Sequence, residues 1–165
     1  MKKIIALLSA AALLSAASVT VLAAEITEST DPKQADVTIS TSVAPAYTVS
    51  IPVNANVAFN AAETDFGSVS LESARLAPNK AVEVTITSDF DLNNSANNTA
   101  VIPYTLKATK GTAEETVTAG YSAKLQNTGD KVALTINIAQ ADWDAAAAGD
   151  YSDTVTFNIA YVDAV

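Results

Sequence analysis

The sequence has no cysteine and no histidine, and its basic residues are outnumbered two to one, nine Lys/Arg against 18 Asp/Glu. Without cysteine there is no disulfide, no lipid-modified cysteine anchor, no thiolate nucleophile and no sulfur-ligated metal. Without histidine the commonest general base and the commonest metal ligand are both gone. The scarcity of Lys and Arg leaves a formal net charge of −9, and nucleic acid and anionic lipid both need basic surface that this chain does not have. An acidic surface of this kind favours solubility. A hydrophobic core must therefore hold the fold together alone.

What is present begins with a leader. Lys2 and Lys3 precede an apolar or small stretch from Ile4 to Val21, which closes on Val21-Leu22-Ala23-Ala24. Basic start, apolar middle and small-residue end make a secretory signal peptide over 1–24, with cleavage after Ala23 or Ala24. A membrane anchor needs a similar apolar length, but the Ala and Ser content and the polar residues that follow favour cleavage. The expected location is secreted, periplasmic or cell-surface, with no membrane insertion after cleavage. Loss of Lys2 and Lys3 deepens the acidity. The remainder suits one domain.

Residues 25–35 are polar apart from Ile26 and read as a flexible lead. From Asp36 the dominant period is two, so the expected domain runs 36–165. Val37, Ile39, Thr41 and Val43 alternate with small or polar residues, followed by Tyr47, Val49 and Ile51, then Val57 and Phe59. Further sets are Val82, Val84 and Ile86; Ile102, Tyr104 and Leu106; Val132, Leu134, Ile136 and Ile138; and Val155, Phe157, Ile159 and Tyr161. Alternation puts each set on one face of a strand, and these residue types suit a pleated sheet. Pro45 and Pro52 bracket one strand, Gly67 starts a short one, and Asn127-Thr128-Gly129-Asp130 predicts a hairpin turn. Ala139–Ala148 predicts a connecting helical turn. The pattern predicts an all-β antiparallel sandwich or barrel.

Candidate sites are few. Asp89-Phe90-Asp91-Leu92-Asn93 opens like a calcium loop, but Asn94 and Ala100 stand where that loop wants Gly and a bidentate Glu, so a solvated strand is expected. Asp142, Asp144, Asp150 and Asp153 surround Trp143 and Tyr151. Carboxylates beside aromatics can grip sugars, and Trp143 is the candidate ligand contact. The plainer reading has Trp143 capping the core. Asn93-Asn94-Ser95 and Asn97-Asn98-Thr99 match the glycosylation pattern and read as an Asn-rich loop. No hydrolase elbow and no phosphate cradle appears. No catalytic residue, cofactor or metal is expected.

The most specific stretch is Ala148-Gly149-Asp150-Tyr151-Ser152-Asp153-Thr154-Val155-Thr156-Phe157-Asn158-Ile159-Ala160-Tyr161. Gly149 admits a backbone conformation other residues resist, and Tyr151 can hydrogen-bond backwards as in a tyrosine corner. This ending resembles the closing strand of spore coat protein U-type domains and of pilin-like adhesion domains. Ala46-Tyr47-Thr48-Val49-Ser50-Ile51-Pro52 resembles the opening of small secreted β-sandwich proteins of Gram-positive bacteria, and Ile102-Pro103-Tyr104-Thr105-Leu106 is similar to a mid-domain strand of the same groups. The resemblance implies an immunoglobulin-like Greek-key sandwich in a surface, coat or fimbria-like structure, acting by contact with copies of itself or with a host glycan or protein. Fibres built by donating a strand need an N-terminal arm of alternating apolar residues. Residues 25–35 lack it, and Val37–Val43 is counted within its own domain, so strand donation is not expected. A stand-alone carbohydrate-binding module, with Trp143 exposed, is the alternative.

Overall fold

Each apolar alternation needs a second sheet to cover it, and the fold supplies two. The computed structural model describes residues 26–29, 31–97 and 99–165; the predicted leader lies outside them. The chain divides between Ala44 and Pro45. In the first part the described residues are all exposed and none belongs to a strand. The second part holds every strand among the described residues: β1 (Ala46–Ser50), β2 (Glu63–Arg75), β3 (Lys80–Thr87), β4 (Asp91–Asn94), β5 (Val101–Pro103), β6 (Thr105–Lys110), β7 (Ala113–Thr116), β8 (Ser122–Leu125), β9 (Lys131–Asn137), a short helix α1 (Gln140–Ala145), β10 (Tyr151–Ser152) and β11 (Thr156–Asp163).

One sheet has the order β1-β2-β9-β6-β7, a second β11-β3-β8, and a small third β10-β4-β5; all pairings are antiparallel. Val69 and Leu71 of β2, Val132 and Leu134 of β9, and Leu106 of β6 meet Val82, Val84 and Ile86 of β3 and Leu125 of β8 in one core, all essentially without exposure. The all-β sandwich is thus realised. In an immunoglobulin-type sandwich the sheets run A-B-E-D and G-F-C. Here β1-β2-β9-β6 takes the first order and β11-β3 takes F-C. Among the described residues no strand stands outside β11, where G would be.

The long β2 departs from the expected short strand at Gly67. Two bulges explain it, since an extra residue flips which side of the strand faces the core. Pairing with β9 steps from Asp65 to Gly67, with Gly67 at φ +97°, and pairing with β1 steps from Ser73 to Leu71. Inward residues therefore change parity, from Val69 and Leu71 to Ala74 and Leu76. At the second bulge the Ser50 and Ser70 hydroxyls, 2.7 and 2.5 Å away, both donate to Glu72 Oε1.

Three further expectations are corrected. Alternation starts at Asp36, but the first strand starts at Ala46. Val57 and Phe59 lie in the strandless crossing from β1 to β2. The turn at Asn127–Asp130 exists, with Asp130 Oδ2 accepting from the Gln126 and Asn127 N–H groups, but β8 and β9 belong to different sheets. Local turn chemistry sets the reversal of the chain, whereas the partners of each strand are set by the core.

Candidate functional site

The acidic and aromatic loop is built from α1 and the segment after it. α1 turns Trp143 inward, where it is 7% exposed. Its indole N–H donates to the Ala61 carbonyl at 3.0 Å, and Phe59 packs edge-on against the ring at 5.6 Å. An indole whose faces are packed and whose N–H is satisfied has none to offer a sugar. Trp143 caps the core, the plainer of its two readings. Among the described residues no group of acids is placed to hold a metal ion. Asp91, Leu92 and Asn93 of the calcium-like stretch form β4.

Beside that loop the chain turns a tight corner. Gly149 has φ +151°, and a Cβ there would stand 2.3 Å from Asn94 Nδ2. Asn94 is buried, and its Oδ1 accepts from the Ala96 and Asn97 N–H groups at 2.9 and 3.1 Å. Tyr151 Oη donates to the Ala147 carbonyl at 2.9 Å. Gly149 thus lets the chain pass close to Asn94, the Tyr151 bond closes the turn before β10, and β10 pairs through its backbone with Asn93 and Asn94.

A polar cluster fastens three places where the chain passes between sheets. Ser88 follows β3, Tyr104 separates β5 from β6, and Asp153 separates β10 from β11. Asp153 Oδ2 accepts from the Ser88 hydroxyl at 2.6 Å and the Tyr104 hydroxyl at 2.5 Å. Burial pushes the Asp153 carboxyl up, but Ser88, Tyr104 and the Thr154 N–H outweigh it and hold it below the usual carboxylate value. Burial, with the bond to Asp153, pushes the Tyr104 phenol well up. Both shifts keep each group in its ordinary charge state, which suits a fastening. Asp153 falls inside the most specific stretch of sequence and Tyr104 inside an alternating one, but Ser88 carries no local signal.

The remaining feature is an open lane along one side of the sandwich. Phe157, Ile159 and Tyr161 of β11 stand directly opposite Ile86, Val84 and Val82 of β3. Opposed residues of paired strands share a face. The β3 row is buried to 1% or less, whereas the β11 row is only half-buried. The same holds across the gap, where Val49 of edge strand β1 is half-buried opposite the fully buried Leu71. Phe66 of β2 meets Phe157 at 6.2 Å, and Tyr47 of β1 stacks on Tyr161 at 6.0 Å, so the edges of the two sheets face each other here. The outer edge of β11 has no strand partner among the described residues. The lane therefore offers an apolar floor and an unpaired strand edge side by side. Alternation revealed these residues as inward-facing but could not show that, among the described residues, only one edge of their strand is paired.

No family model matches the chain, and no curated protein does. One solved structure, described as "Chaperone-tip adhesin complex is vital for synergistic activation of CFA/I fimbriae biogenesis", is similar with a TM-score of 0.46 and 13% identity, over 71% of this chain and 42% of that one. This chain thus spans less than half the length of that protein.

Proposed function

We propose that this chain is an exported, non-catalytic subunit of a surface assembly, which accepts a β-strand from another copy into the lane beside β11. The strand offered is Asp36–Val43. One observation carries the reading: the β11 row of Phe157, Ile159 and Tyr161 is aligned with a buried row yet left half-covered. An edge with free N–H and C=O groups is a template for a further strand, and alternating side chains give the added strand its fit.

Supply matches demand. Val37, Ile39 and Val43 are 80%, 96% and 67% exposed, on a segment with no strand of its own. Its alternation is that of a half-buried strand, and eight residues from Asp36 to Val43 match the 8 of β11. The argument against strand donation was that this stretch is used in its own domain, and among the described residues Asp36–Val43 pairs with no strand of that domain. The leader over 1–24 and the resemblance to pilin-like domains agree with export and assembly. The carbohydrate-module alternative loses its residue, since Trp143 is buried.

Light scattering after size exclusion, on residues 25–165 over a range of concentrations, tests this. Growing oligomers are expected from the parent, and monomers with an unchanged melting temperature from the Val37→Asp, Ile39→Asp double variant. Equal assembly by parent and variant overturns the proposal.

A further inference from the structure

The lane holds one contact that an entering strand cannot leave in place. Neighbouring strands of a sheet lie about 4.8 Å apart. β11 already faces β2, through Phe157 and Phe66. A strand added outside β11 would shift outward by that spacing, and so would lie across from β1, the neighbour of β2 on the same side. The inward side chains of such a strand point at β1. Tyr47 of β1 stands there already, its ring stacked on Tyr161 with centroids 6.0 Å apart and planes 19° from parallel.

The two rings are held unequally. Tyr161 Oη accepts a 2.8 Å hydrogen bond from the Ala77 N–H, and its backbone lies within the ladder to β3, opposite Val82. Tyr47 sits near the start of a five-residue edge strand and is 38% exposed. Tyr47 is the ring that can swing.

We propose that the Tyr47–Tyr161 stack is a gate: in the lone subunit it closes the end of the lane nearest Ala46, and an incoming strand must displace the Tyr47 ring to seat fully. This rests on the strand-accepting reading above. The gate covers part of the apolar row in the unassembled protein and slows uptake of a strand that cannot displace the ring.

The test uses residues 25–165 carrying Val37→Asp and Ile39→Asp, so that no copy donates, mixed with a fluorescently labelled peptide of residues 36–44 and followed by stopped-flow anisotropy. An aromatic pair of this kind slows entry by about two- to tenfold. Tyr47→Ala is expected to speed uptake by that factor, and Tyr47→Phe, which keeps the ring, to leave the rate as in the parent. Tyr47→Val, a better strand former, gives the same acceleration and serves if the alanine variant melts early. Peptide bound by all versions at one rate, or more slowly by Tyr47→Ala and Tyr47→Val, overturns the gate and leaves strand acceptance standing. Peptide bound by none overturns both.

Discussion

Gly149 and Asp153 show how a few side chains settle the end of this sandwich. An added methyl at Gly149 would collide with Asn94 Nδ2, and the backbone there disfavours any L side chain. Gly149→Ala is expected to cost about 1–3 kcal/mol, read from urea denaturation. The Asp153 carboxyl titrates below its usual value in the folded protein, so it adds stability above the unfolded carboxylate pKa of about 3.9 and loses it as pH falls through the lower folded value. Asp153→Asn is expected to cost about 1–2 kcal/mol at neutral pH through its weakened hydrogen bonds, with a shallower fall in stability between about pH 4 and 2. Glu72, Asp130 and Asp163 are lowered as well, so part of the acid sensitivity survives the substitution. An acid limb as steep as the parent's would remove Asp153 from this role. The Gly149 corner was visible as a motif, whereas Trp143 was left with two readings, of which capping the core was the plainer, because a Trp in an acidic loop reads the same whether it faces sugar or core.

Strand edges carry the next level of consequence. Sets such as Val82-Val84-Ile86 and Val132-Leu134-Ile136 were legible because each keeps one parity throughout. β2 was foreshortened because its parity flips at both bulges, and the pairing of β8 was misplaced because a turn does not name its strands' partners. Asp36–Val43 was read as a strand and has no ladder among the described residues; an alternating segment looks alike whether its sheet is its own or another's. Hydrogen exchange can separate these edges. Amides of β11 bonded to β3 are expected to resist exchange in the monomer, while those facing the lane exchange fast and become protected on assembly. Lane-facing amides that stay fast in the assembled state would contradict strand addition.

For the molecule as a whole, acidity and a cysteine-free core set the conditions of association. Copies that each carry a large negative charge repel, and added salt screens that repulsion over about 10 Å at 0.1 M. Assembly, followed by light scattering, is therefore expected to quicken as ionic strength rises from about 0.01 to 0.15 M and to be indifferent to reductant. Slower assembly in salt would mean that attraction between charges, and not the apolar row, draws copies together. The sandwich class was readable from periodicity and the absence of rival chemistry. The open edge of β11 among the described residues was not, because a strand reads the same in sequence whether one or both of its edges are paired.

The ladder between β3 and β11 runs without interruption from Thr156 opposite Thr87 to Asp163 opposite Lys80. A pull directed along β11 strains every rung of that ladder at the same time, so the strand must slide as a unit before any rung is free. A pull across it would open the rungs one after another. Tension transmitted lengthwise through this strand therefore meets the β3–β11 ladder in its more resistant direction.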